Sequence, residues 1–226
     1  MKYATKKILR DYTATVLIAV GLAMLIRTYV VEAYRIPNQS MKPALLAGDT
    51  IFVAKWPQKL NGVVLPGRGD LVVFKTPGKG PDAIRRVVGL PGDSVELRRG
   101  RLFLNGVSLV VSGLVPGPPP GFVTQRVTQE KTAPLPCFRE AIAQNVEYQI
   151  CEDSPLLPDF GPERVPNNSV FVLEDSRTNT QQKPVRGIIP VAAIQGRALW
   201  IWLSIEDTAP FSWLPRFRMD RMFRHI

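Results

Sequence analysis

The chain has 226 residues, 45% of them hydrophobic and 21% charged, with a formal net charge of +10, enough for one sizeable core or a main domain with a smaller insertion. Two cysteines and a single histidine, without a CxxC or Cys/His cluster, exclude a zinc site, and no metal or cofactor is expected. The positive charge gathers at the two ends of the chain with no zinc-finger spacing and no RNA-binding aromatic signature, so the expected partner is the anionic surface of a lipid bilayer, not nucleic acid.

The first predicted element is a helix. Residues 13–26 read TATVLIAVGLAMLI, and the window 12–31 holds 20 residues with one charge, Arg27. About 20 residues at ~1.5 Å each span a hydrocarbon core, and an arginine near the far end snorkels to the headgroups. A cleaved leader also begins with basic residues and a short apolar run. No small-x-small cleavage site follows, because the chain continues VVEAYRIP. A retained anchor is therefore expected, with Lys2, Lys6, Lys7 and Arg10 inside the cell and everything from about Glu32 outside. Residues 1–11 form a cytoplasmic basic segment and 12–31 the transmembrane anchor. An outer domain of this kind permits a bridge between Cys137 and Cys151; two unpaired buried thiols are the alternative.

Beyond the anchor, 21 prolines and 17 glycines lie among short apolar runs, which favours strands and turns. Strands are predicted at 50–54, 70–74, 83–89, 94–98, 101–104, 169–173 and 197–203. Arg99-Gly100 and Asn105-Gly106 are turn signals. The run LVPGPPPG at 114–121 opens a stretch of different composition that contains both cysteines, read as an inserted β-rich region over 114–166. Segments 32–113 and 167–226 form the main domain, expected to be mainly β: a bent sheet or partly closed barrel. Residues 213–226 interleave Arg with Trp, Phe and Met, a pattern for a terminal helix, either on the membrane surface or docked on the domain.

Ser40 lies in RIPNQSMKPALLAGD just past the anchor, on a loop or strand end. A serine nucleophile needs a base. The only histidine, His225, sits in the basic tail, which points away from a Ser-His-Asp triad and toward a Ser-Lys arrangement.

Three segments carry a family resemblance. YRIPNQSMKPALLAGD, DLVVFKTPGKGPDAIRRVVGLPGD and FVLEDSRTNTQQKPVRGIIP occur in that order after one anchor. The first resembles the nucleophile segment of signal peptidase I, the second its base segment, and the third its Gly-Asp-Asn-Arg segment. The resemblance implies a β-rich, membrane-facing peptidase at the bacterial inner membrane. It would remove leader peptides from exported preproteins by attack of Ser40 after small residues, and the export machinery is a further expected partner. It places Asp82, Ala83 and Ile84 on the edge that pairs with an extended substrate. Ile36, Pro37, Leu45 and Ile84 would help line shallow pockets, with core packing as the alternative for each aliphatic.

The same resemblance exposes departures. The family's lysine base falls on Arg85, and its oxyanion-hole serine on Asn38, whose amide N–H can also stabilise an oxyanion. The serine that orients the lysine falls on Thr180. Glu174 replaces a glycine, while Asp175 and Arg177 keep the pattern. Lowering a lysine from ~10.4 to ~8 disfavours its charge by about 3 kcal/mol, whereas an arginine would need about 7 kcal/mol, beyond ordinary burial shifts. An ion pair between Glu174 and Arg85 is expected to fill the base site. Glu174 or Lys183 would then be the substitute base. The alternative function is an impaired or inactive homologue that binds leader peptides without efficient cleavage.

Overall fold

A computed structural model describes residues 2–55, 65–76, 80–115, 136–143, 146–152, 158–177, 187–206 and 216–226. One helix, α1 (Lys2–Tyr29), is followed by sixteen strands among these residues. The window Tyr12–Tyr29 is long and apolar enough to cross a membrane, and none of it is buried in the protein. The helix ends before the anticipated boundary: by Val31 the chain has already entered β1 (Val31–Arg35).

The next strands in order are β2 (Asp49–Lys55), β3 (Leu71–Phe74), β4 (Ala83–Gly89), β5 (Ser94–Arg98), β6 (Arg101–Leu104), β7 (Val107–Ser108) and β8 (Val110–Val115). There follow β9 (Cys137–Ala143), β10 (Val146–Cys151), β11 (Phe160–Arg164), β12 (Ser169–Leu173), β13 (Gly187–Pro190), β14 (Ile194–Glu206), β15 (Arg216–Phe217) and β16 (Arg224–His225). The main sheet runs β1-β2-β14-β3-β4-β12-β13, with β15 and β16 also on β14. A second sheet is β11-β5-β6-β7 and a third β10-β9-β8. The protein is thus mainly β, as the short apolar runs imply.

Burial follows the sequence period. β2 alternates buried and half-buried residues, as a strand with one core face must. β3 is buried at every position and β4 at all but its first, because both of their faces are covered. Ile36, Met41, Leu45, Ile51, Val53, Leu71, Val73 and Ile84 share one cluster, while Val72, Phe74, Val87, Val170 and Val172 share another on the opposite side. β4 therefore carries two arginines through the interior, and buried charge must be paired.

The tail departs from the expected helix. It is two short strands around a single 3-10 turn, Met219–Arg221. Arg218 and Arg221 reach back to the buried Asp49 at 3.3 and 2.7 Å, and Ile226 packs against the cluster of Ile36 and Met41. Long-range pairing overrides the local periodicity here.

The two cysteines form a disulfide between directly paired positions of β9 and β10. The cystine also borders the third motif: the Cys151 N–H donates to the Asp175 carbonyl at 3.1 Å, and the Arg177 N–H to the Cys151 carbonyl at 2.8 Å. Closing a loop of this size stabilises by about 3 kcal/mol. Replacing both cysteines by alanine is expected to lower unfolding stability by that amount in urea titrations. A loss under ~1 kcal/mol would show that the strand pairing alone holds this hairpin.

Candidate active site

Ser40 sits on the turn between β1 and β2. Ile36 N–H donates to the Asp49 carbonyl at 2.8 Å and Leu45 N–H to that of Met41 at 2.9 Å, so the segment folds back on itself. Met41, Leu45 and Leu46 are fully buried and pin it to the core. Gly48 closes the turn at φ +87°, where a Cβ would stand 2.0 Å from the Ile205 carbonyl oxygen; no side chain fits there. With its neighbours fixed, Ser40 is left half-buried at the rim. Its carbonyl accepts from the Ser176 N–H at 3.0 Å, which ties the turn to the third motif.

The Ser40 hydroxyl has two described partners. It donates to Asn38 Oδ1 at 2.9 Å and accepts from Arg85 Nη1 at 3.1 Å. The same Nη1 donates to the Ile84 carbonyl at 2.6 Å, while Nη2 meets Glu174 Oε1 at 2.5 Å. Arg85 and Glu174 are 6% and 4% exposed, so this ion pair is a buried one. Burial lowers the Arg85 pKa against the pull of Glu174, and burial raises that of Glu174 against the pull of Arg85. A guanidinium beside the serine oxygen stabilises negative charge on it, but it does not accept a proton. Asn38 Oδ1, an amide oxygen, is no base either.

A second buried pair lies one residue along β4. Arg86 holds Asp175 with a two-pronged bond at 2.7 and 2.6 Å, donates to the Gly69 carbonyl at 2.7 Å, and stacks over the Tyr148 ring at 4.4 Å. Burial works against the Arg86 charge, but Asp175, with Tyr148 and Glu140, more than offsets it and the pKa lies above the ordinary value. Behind this pair Arg177, fully buried, meets Glu140 at 2.7 Å, and the Tyr148 hydroxyl donates to the same carboxylate. β9 and β10 thus buttress the third motif. Two adjacent arginines inside the apolar strand AIRRVVG were the sequence signal for two buried acids; Arg86, Glu140 and Tyr148 were not singled out from it.

The other anticipated positions fall around this centre. Ile36, Leu45 and Ile84 lie in one buried cluster, the packing alternative. Pro37 and Asn38 are exposed, and Asp82 and Ala83 are half-buried. Tyr34 of β1 hydrogen-bonds to Asp82, and burial first, then that carboxylate, push the phenol up to about 12. Thr180 and Lys183 lie outside the described residues. Among the described residues, no group of His, Cys, Asp and Glu is arranged to hold a metal ion.

A serine on a pinned turn with a basic side chain against its hydroxyl, on a mainly β domain, resembles the Ser-Lys variant of serine peptidases, with a guanidinium where the amine would stand. The sequence profile described as "Signal peptidase, peptidase S26" matches residues 9–203. Signal peptidase I of Pseudomonas fluorescens is 30% identical over 96% of this chain and 80% of that protein. Signal peptidase I of Leptolyngbya laminosa is 32% identical over 82% of this chain and 75% of its own. Signal peptidase I P of Bacillus subtilis subsp. natto is 31% identical over 75% of each. The chain belongs to the signal peptidase I family.

Proposed function

We propose that this protein binds leader peptides of exported preproteins as extended strands along the Asp82–Ala83–Ile84 edge and cleaves them with Ser40 as nucleophile, after small residues. α1 anchors it in the bacterial cytoplasmic membrane with the β domain outside, in reach of substrates leaving the export machinery. The observation that carries the reading is the 3.1 Å contact between Ser40 Oγ and Arg85 near the start of β4, in a chain of this family. The Ser40 oxygen attacks the scissile carbonyl, the C–N bond breaks, and an acyl-serine forms that water then hydrolyses. Arg85 stabilises the developing charge on Ser40, and the Asn38 amide N–H the oxyanion. Glu174, held by Arg85 and made more basic by burial, takes the hydroxyl proton and returns it to the leaving amine.

A second reading, capture of leader peptides without efficient cleavage, is favoured by one observation. The Ser40 proton is directed at Asn38 Oδ1, an amide oxygen, and the cation beside it cannot serve as a base. Incubation with a leader-bearing precursor separates the two. Slow cleavage is expected, reduced to background in Ser40→Ala and Glu174→Gln and retained in Lys183→Ala. Cleavage lost only in Ser40→Ala and Lys183→Ala would move the base to the neighbouring loop. Binding with no cleavage by the unmodified protein would establish the second reading, and neither binding nor cleavage would refute both.

A further inference from the structure

The backbone of β4 offers hydrogen bonds to one side beyond the end of β12. Val87 N–H donates to the Asp70 carbonyl at 2.9 Å, and the Val87 carbonyl accepts from Gly69 N–H at 2.8 Å. Val87 therefore faces β3. Along an antiparallel strand successive residues aim their N–H and C=O to opposite sides. Arg85 thus also faces β3, in register with Val72, while Ile84 and Asp82 face the other way. On that side β12 ends at Leu173, opposite Arg86, and among the described residues no strand continues past it. The Ile84 and Asp82 carbonyls are the acceptors that an added peptide strand would meet there.

One of these acceptors is already engaged. Arg85 folds its guanidinium over the edge, and Nη1 donates to the Ile84 carbonyl at 2.6 Å, a short charge-assisted bond. A carbonyl keeps a second lone pair, but the charge-assisted bond to the guanidinium takes the stronger share of its accepting capacity. The bond is held in place by contacts of the same group to Ser40 and Glu174.

We propose that Arg85 is a specificity-determining residue that makes the substrate position facing the Ile84 carbonyl indifferent to a backbone N–H, so that proline or an N-alkylated residue is accepted there. The inference rests on the reading that leader peptides add as a strand to this edge. An ordinary peptide gains little at that position, because its N–H meets an acceptor already satisfied. A proline loses nothing there.

The test is an N-methyl scan. A fluorescent leader peptide and its singly N-methylated versions, one for each residue before the cut, are titrated in detergent against Ser40→Ala protein. The same titrations are repeated with Ser40→Ala combined with Arg85→Ala and Glu174→Gly, which removes both ions together and avoids stranding a buried carboxylate; thermal unfolding checks that this variant folds. Losing one neutral hydrogen bond weakens binding about 3- to 10-fold. One position is expected to tolerate methylation within about 2-fold in the Arg85 protein and to lose about 3- to 10-fold once Arg85 is gone. Identical scans in the two proteins would overturn the inference while leaving strand addition intact. Failure of the unmodified peptide to bind either protein would overturn the proposed function itself, and this inference with it.

Discussion

Replacing Arg85 by lysine alone is expected to leave turnover near that of the unmodified protein, whereas Arg85→Lys together with Glu174→Gly raises it by about 10- to 10²-fold, because a lysine tuned toward ~8 is better matched to neutral pH than an ion-paired carboxylate base. A lysine becomes a base only when its ammonium is disfavoured. Burial does this, lowering the pKa by a few units. Glu174 works in the opposite direction. A carboxylate 4 Å from a cation contributes about 4 kcal/mol at an effective dielectric of 20, and 1.36 kcal/mol corresponds to one pKa unit. The carboxylate alone thus offsets the ~2.4-unit drop, from ~10.4 to ~8, that a working lysine needs. Glycine at 174, the residue the family resemblance implies there, removes that charge and frees the space it fills. Single-turnover cleavage of a leader-bearing precursor measures the gain, and the rate in the double variant should rise with pH through ~8 as the lysine deprotonates. A single Arg85→Lys variant as fast as the double one would refute the part assigned to Glu174.

The same arithmetic links the two departures that the family resemblance implies at positions 85 and 174. Arginine in this interior without an acid would be a buried, uncompensated charge, and stranding one member of such a pair costs about 3–5 kcal/mol. Glu174 in turn lies 4% exposed, where an unpaired carboxylate is disfavoured. Each residue makes the other tolerable. The chemistry the pair supports is accordingly different: a fixed cation against Ser40, with the proton site of the proposed reaction on Glu174 instead of on residue 85.

Legibility from sequence divides along physical lines. β4, β5, β6 and β12 have the limits expected from their apolar runs, because turn residues such as Arg99-Gly100 and Asn105-Gly106 bound them, with positive φ at all four. The approach of Ser40 to Arg85 and of Arg85 to Glu174 was accessible only through resemblance, since the members of each pair lie 45 and 89 positions apart and no local periodicity links them. The C-terminal pattern of arginines and aromatics suits a helix, yet the segment pairs with β14. Its Arg218 meets an acid 169 residues earlier in the chain. Nor does composition indicate that Arg177 is fully buried, because the acid it meets, Glu140, lies on β9. Spans set by local alternation were readable, and those set by a distant buried charge were not.

Asp49→Ala tests that distant control and is expected to destabilise the protein by about 3–5 kcal/mol. Asp49 is fully buried. Its Oδ2 accepts from the Leu46 N–H at 2.8 Å and Arg221 Nη2 at 2.7 Å, and its Oδ1 from Ser204 Oγ at 2.5 Å and Arg218 Nη2 at 3.3 Å. Both guanidiniums also reach main-chain carbonyls, Arg218 those of Ala47 and Ile205, Arg221 that of Ala44. Removing the carboxylate keeps those neutral acceptors and deletes the anion between the two cations, so the loss is chiefly electrostatic. Urea unfolding in detergent should move to a lower midpoint with an unchanged slope. Adding Arg221→Met to Asp49→Ala should recover part of the loss, because a cation without its counter-charge is then replaced by an apolar side chain of similar length. A single-variant loss under ~1 kcal/mol, or a double variant worse than the sum of its parts, would mean that strand pairing of β15 and β16, not Asp49, holds the tail against the turn that carries Ser40.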